Sequence, residues 1–163
     1  MYNKWLKLQR SIMDSLTERV VKRFLSCTLP KQEWTHEAHL RVGLWHLLYY
    51  SPSESMVRLR KSIKKYNIAC GIENTDSQGY HETITRFYVL LIARFIGEID
   101  NLRLVNKTET ALLSNEIVNV DLLAERLIKG YEDRSLIFKY YSRDRLMSKT
   151  ARLKWVESDL ISL

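Results

Sequence analysis

Residues 80–98 read YHETITRFYVLLIARFIGE, and this stretch decides the fold. Side chains suited to a buried face recur every three or four residues, along a stripe formed by Thr85, Tyr88, Ile92 and Phe95. That spacing is typical of an α-helix with one buried face. Because this is the most apolar of the periodic segments, we predict that it forms a central helix against which the others pack.

Three more helices are predicted upstream of the central one. Ser15, Thr35 and Ser53 are favourable N-cap residues, and each precedes apolar residues at helical spacing. The predicted helices cover about 15–27, 36–50 and 53–67. Segment 69–79 is polar and contains two glycines, which predicts a loop. Residues 1–12 either extend the first helix or form a loose N-terminal arm, and the pattern does not decide between these alternatives.

The helical periodicity weakens beyond residue 101. Shorter helices are predicted over about 108–115, 121–129 and 134–141, followed by a mixed tail. Residues 102–105 have a faint strand character. The predicted fold class is therefore all-α: a helical bundle of about four main helices with shorter C-terminal helices and a packed tail. We expect a single helical domain over residues 1–163.

Composition supports a helical, intracellular protein. The chain has only five Gly and two Pro among 163 residues. These are few for the tight turns that β-hairpins and β-sandwiches need. Cys27 and Cys70 are isolated, which predicts a reducing cytoplasm and no disulfide framework. The longest apolar stretch, 88–93, is far shorter than the roughly 20 residues of a membrane span, so no membrane partner is expected. The net charge of +7 suits anionic partners, but it equally suits plain solubility.

Several motifs resemble a family of small, uncharacterised bacterial proteins. They are WTHEAHL (34–40), NTD (74–76) with YHETIT (80–85), and YSRDRL (141–146) with WVESDL (155–160). The resemblance covers roughly residues 14–163, and at Ser158 the family pattern has proline. It implies no catalytic residue, because no activity is assigned to the family.

Histidines open two of the predicted helices. His36 and His39 lie on one side of the second helix, one turn and about 4.5 Å apart, whereas His46 is about 10 Å beyond His39. His81 begins the central helix behind a polar loop, and it is the candidate third ligand for His36 and His39. Three imidazoles with an open coordination position predict a site for a divalent transition metal, zinc or iron.

Two other interpretations of these histidines remain open. One is metal-free acid–base chemistry or ligand contact, with Glu82 and Arg86 as candidate catalytic groups. The other is structural hydrogen bonding, which the sequence favours for each histidine taken singly. Tyr80 and Arg145 are candidate ligand-binding residues, since Arg145 lies among aromatic and arginine side chains that can clamp an anionic small molecule.

The predicted function is that of a small helical enzyme or ligand sensor with a histidine-bearing pocket between the second and fourth helices. The alternative is a non-catalytic binding module that uses the basic helix 54–66 for nucleic acid or a protein partner. The basic side chains of that helix are Arg58, Arg60, Lys61, Lys64 and Lys65. A solvated surface helix gives the same pattern. The sequence determines neither the substrate, nor the reaction, nor the oligomeric state.

Overall fold

The computed structural model describes residues 15–106 and 120–162, and within these ranges the chain is helical without any strand. The α-helices are α1 (Leu16–Leu25), α2 (His36–Tyr49), α3 (Pro52–Ala69), α4 (Glu82–Asn106), α5 (Val120–Tyr131), α6 (Arg143–Leu146) and α7 (Lys149–Leu153). Short 3₁₀ turns cover Lys31–Glu33 and Leu136–Lys139. The predicted all-α class is confirmed. None of the helices in the described part of the chain is both long and apolar enough to cross a bilayer.

Side-chain caps set the starts of the first three helices. Ser15 and Thr35 accept hydrogen bonds from the backbone amides three residues later, at 3.1 and 3.3 Å, as the sequence predicts. Helix α3 begins one residue earlier than predicted, because Ser51 and not Ser53 is its N-cap. Ser51 forms a capping box with Glu54, and Pro52 occupies the first helical position, where its fixed φ is compatible with a helix.

Helix α4 is central, as predicted. Its buried side chains enter three apolar clusters: Val89 packs with α1, α2 and α3, Ile92 packs with α2 and α5, and Phe87 packs with the C-terminal segment. Helix α2 shares the first two clusters through Val42 and Leu44. These two helices therefore form the centre of the bundle, and the remaining elements pack around them.

Two predictions about the second half of the chain differ from the structure, and two further predictions fall outside the described residues. Residues 102–105 belong to α4, so their faint strand character was misleading. The strand preference of four residues is too small to end a helix that already continues into them. The predicted helix over 134–141 is only the 3₁₀ turn Leu136–Lys139. The predicted helix over 108–115 and the predicted arm over 1–12 lie outside the described residues.

The loop before α4 is folded back onto α3 and fixes where α4 begins. Asn74 accepts hydrogen bonds from Asn67 Nδ2 at 2.8 Å and from the Tyr80 amide at 3.1 Å, and it donates to the Lys64 carbonyl at 2.9 Å. Gly79 has a φ of +76°, and a Cβ there would collide with the Glu73 carbonyl oxygen. The close turn at residue 79 therefore requires glycine.

Candidate functional site

The candidate site is a cleft where the first turn of α2 meets the end of α5. Its volume is about 310 Å³. The lining residues are Thr35, His36, Glu37, Leu40, Ile128, Glu132 and Arg134. Because Thr35 caps α2 at this point, the polar side chains of the first helical turn are held at the mouth of the cleft, while Leu40 and Ile128 provide an apolar wall.

His36 is held in one orientation at this cleft. Its Nε2 lies 2.9 Å from the Tyr131 carbonyl oxygen, and a carbonyl can only accept, so Nε2 carries the proton and donates it. The ring also packs edge-on against Tyr88 at 5.2 Å between centroids. Within the described residues no group bonds to Nδ1. Neutral His36 therefore presents a lone pair on Nδ1, which can accept a proton or a hydrogen bond.

Arg134 is the cation of the cleft. Its side chain is exposed and forms no ion pair with any residue that the structure describes. Two of the neighbouring carboxylates, those of Glu37 and Asp133, are already engaged. Arg41 donates to Glu37 Oε1 from Nε at 3.0 Å and from the terminal nitrogen at 2.8 Å. Asp133 accepts from Ser135, and these hydrogen bonds lower the pKa of the Asp133 carboxyl. Glu132 is exposed. The guanidinium of Arg134 is thus available to an acidic group entering the cleft.

His39 lies on the same helix but is engaged differently. Its Nδ1 donates to the Thr35 carbonyl at 2.6 Å, one turn back along α2. The imidazole also lies against the Trp34 ring, with 3.9 Å between centroids, and Trp34 in turn stacks on Phe24 at 4.4 Å. His39 is exposed. Its ring is therefore fixed beside Trp34.

His81 is a buried structural residue. Its Nε2 donates to the Leu146 carbonyl at 3.0 Å, and its Nδ1 accepts from the Ile84 amide at 3.3 Å. The imidazole consequently caps the N-terminus of α4 and ties that end of the helix to α6. Burial lowers the pKa of His81, and the hydrogen bond that Nδ1 accepts requires the neutral ring. Neither nitrogen is left for a metal ion.

The structure does not bring His36, His39 and His81 together. His36 contacts α4 at Tyr88, which lies seven residues, or about 10 Å along the helix axis, from His81. Among the described residues, which include all four histidines, no three His, Cys, Asp or Glu side chains are grouped so that they can hold a metal ion. The three-histidine group that the sequence predicts is therefore not formed among the described residues. The rise of a helix predicts that His36 and His39 are one turn apart. It does not predict where α4 crosses α2, and that crossing determines the position of His81.

The proposed acid–base pair is not part of the cleft. Glu82 receives two hydrogen bonds from Arg60, at 2.8 and 2.6 Å, and one from the Tyr80 hydroxyl at 3.0 Å. The hydrogen bonds from Arg60 lower the pKa of Glu82. Arg86 lies over the Trp155 ring at 4.8 Å. In this structure Glu82 joins α3 to α4, and Arg86 covers the C-terminal segment.

The candidate ligand-binding residues are likewise occupied by contacts within the chain. Tyr80 is buried, and its hydroxyl donates a hydrogen bond to Glu82. The Lys64 ammonium lies 5.2 Å from the centre of the Tyr80 ring. Arg145 donates from Nε to the Glu157 carbonyl at 2.7 Å. Both residues position loops against the bundle, and neither lines the cleft.

Sequence reasoning missed Arg134 and the Tyr131 carbonyl. Arg134 follows the end of α5 and was taken as the beginning of another helix. The Tyr131 carbonyl is one of the last carbonyls of α5, which have no partner within the helix. The available signal was weak: the last carbonyls of any helix need partners outside it. Nothing local indicated that His36, 95 residues away in sequence, is that partner.

Comparisons with protein-family models, with curated proteins and with solved structures find no match to this chain. The resemblance to small bacterial proteins stays a prediction.

Replacing His81 by alanine is expected to lower the free energy of unfolding by about 1–3 kcal/mol at pH 8, because the Leu146 carbonyl and the Ile84 amide lose their partner. The size of this loss should depend on pH. The pKa of His81 is lowered in the fold, so its contribution is present above the unfolded value of about 6.5 and is lost as pH falls through the folded value. The two proteins should therefore converge in stability towards pH 5. Urea unfolding at both pH values measures this, and a pH-independent difference would contradict the assignment.

Proposed function

We propose that the protein is a small enzyme or ligand sensor whose ligand is a small polar molecule bearing an acidic group. The ligand binds in the cleft between α2 and α5. Arg134 holds its acidic group, and Nδ1 of His36 accepts a proton or a hydrogen bond from a protonated oxygen or another donor of the ligand. The proposal requires no metal ion, and it moves the predicted pocket from the α2–α4 contact to the end of α5.

The observation that carries this proposal is the fixed tautomer of His36. A histidine whose Nε2–H is anchored on a backbone carbonyl has its other nitrogen oriented as a base. Here the anchor is the Tyr131 carbonyl at 2.9 Å, and His36 is one of the residues that line a cleft of about 310 Å³. That volume is within the range of small-molecule sites, roughly 300–1,000 Å³.

The guanidinium of Arg134 favours an acidic ligand, whereas the exposed carboxylate of Glu132, which also lines the cleft, opposes one. Glu37 is bonded to Arg41, whereas Arg134 has no ion pair among the described residues. An entering carboxylate or phosphate therefore meets one unneutralised guanidinium, which binds such groups through two parallel hydrogen bonds. Leu40 and Ile128 provide an apolar surface for the remainder of the molecule.

Nuclear magnetic resonance of ¹⁵N-labelled histidine tests both parts of the proposal. The His36 ring is expected to show the Nε2–H tautomer. Titration with inorganic phosphate at constant ionic strength should shift Nδ1 of His36 along a saturable curve. Arg134→Gln should abolish this shift, while Arg126→Gln, an exposed arginine of α5 that does not line the cleft, should leave it unchanged.

Two results would contradict the proposal. A proton on Nδ1 of His36 would remove the proposed acceptor. A phosphate shift that is equally large in the Arg134→Gln variant would show that Arg134 does not bind the anion. Because Arg134 is exposed, its replacement is expected to change the free energy of unfolding by less than about 0.5 kcal/mol, so a loss of binding reports on the site.

A further inference from the structure

The outward face of α3 is a cationic surface formed by Arg58, Lys61, Lys64 and Lys65. All four side chains are exposed, and none forms an ion pair with a residue in the described parts of the chain. The fifth basic residue of the helix, Arg60, is turned the other way and is bonded to Glu82. The structure thus separates one internally paired cation from four unpaired ones.

The four cations occupy a compact area. At about 100° and 1.5 Å per residue they span an arc of about 120° and a length of about 10 Å. No acidic residue occurs between Glu54 and Glu73. The one carboxylate of α3, that of Glu54, lies one turn before Arg58 and is hydrogen-bonded to Ser51. A face of this kind produces a positive potential that attracts an extended anion.

Two of the cations are held in place by aromatic rings. The Arg58 guanidinium lies 3.8 Å from the centre of the Tyr50 ring, and the Lys64 ammonium lies 5.2 Å from the centre of the Tyr80 ring. Stacking of this kind restricts the side chain while leaving its N–H groups able to donate outward. Less conformational freedom is then lost when an anion binds.

We propose that the cationic face of α3 binds the phosphate backbone of a nucleic acid without reading its sequence. The regularly spaced phosphates of a nucleic-acid strand can each contact one of the cations along this face. Contacts to phosphates carry no base specificity. Glu54, one turn before Arg58, is also exposed on this face. The exposed aliphatic side chains of this face, Val57 and Ile68, lie at opposite ends of the cationic stretch. Isolated exposed aliphatic residues are normal on protein surfaces, so they do not indicate an apolar partner.

Fluorescence anisotropy with a short fluorescein-labelled DNA duplex tests the proposal. We expect a dissociation constant of roughly 1–100 µM near physiological salt, and a slope of log K against log salt of about −3.6 if all four cations contact phosphates. The variant Lys61→Gln with Lys65→Gln should reduce the slope to about −1.8, since each lost phosphate contact removes about one unit. Both lysines are exposed, so the fold should be retained, which circular dichroism verifies.

The matched control changes the same amount of charge elsewhere. Arg126→Gln with Lys129→Gln alters two exposed cations of α5, a helix that packs on α1 and α2, and it should leave both affinity and slope unchanged. Equal losses in the two double variants would overturn the proposal, because binding would then follow net charge and not the α3 face. Binding of the wild type to anionic phospholipid vesicles but not to the duplex would also overturn it.

Discussion

Replacing Asp121 by alanine is expected to lower the free energy of unfolding by about 3 kcal/mol, the lower end of what breaking a buried ion pair costs. Asp121 begins α5, but its carboxylate accepts from the backbone amides of Leu16 and Thr17 at 2.9 and 2.8 Å. It therefore caps α1 from another helix. It also lies 3.7 Å from the Arg41 guanidinium, whose side chain is only 6 % exposed.

The cost arises because Arg41 cannot lose its charge when a partner is removed. Arg41 donates to Thr17 Oγ1 at 3.0 Å and to Glu37, and the Glu37 side chain is 51 % exposed. After the loss of Asp121, the buried guanidinium keeps the Thr17 hydroxyl, but its remaining charged partner among the described residues is the exposed Glu37. Replacing Arg41 by methionine should cost less than replacing Asp121, since no unpaired charge then remains buried.

Urea unfolding of the two variants and of Asp144→Ala measures these differences. Asp144 is an exposed acidic residue in the first turn of α6, and its replacement should change stability by less than about 0.5 kcal/mol. If Asp121→Ala were as mild as Asp144→Ala, the network between α1, α2 and α5 would not be what holds these helices together.

Replacing Phe87 by alanine is expected to cost about 3–5 kcal/mol. Phe87 is fully buried, and its ring contacts Tyr140 and Tyr141 at 5.2 and 6.2 Å between centroids. It belongs to the apolar cluster that attaches the C-terminal segment to α4. The variant leaves a cavity at this attachment, because the surrounding rings cannot collapse to fill it.

Leu90→Ala is the matched control for Phe87→Ala. Leu90 lies three residues further along the same helix and is 37 % exposed, so its truncation should cost less than about 1 kcal/mol. Thermal or urea unfolding compares the two variants directly. Similar losses at both positions would mean that the C-terminal segment contributes little packing energy at Phe87.

The sequence by itself determined the helices whose signals are local. The N-cap residues Ser15 and Thr35, the apolar stripe of α4 and the scarcity of glycine and proline predicted α1, α2 and α4 to within a few residues, apart from the C-terminal end of α4. These features act between neighbours in the chain, over three or four residues. The start of α3 was placed wrongly at Ser53 because Ser51 and Pro52 also look like the end of α2.

Only the tertiary structure decided what each histidine does. His36 and His81 both precede an amphipathic run and look equivalent in sequence, yet one donates to the Tyr131 carbonyl beside a cleft and the other caps α4 and bonds to Leu146. Asp121 likewise looked like the beginning of a helix, but its carboxylate caps a different helix. These partners are separated by 65–105 residues. They are set by how the helices cross, which depends on the packing of whole faces and not on the spacing within any one of them.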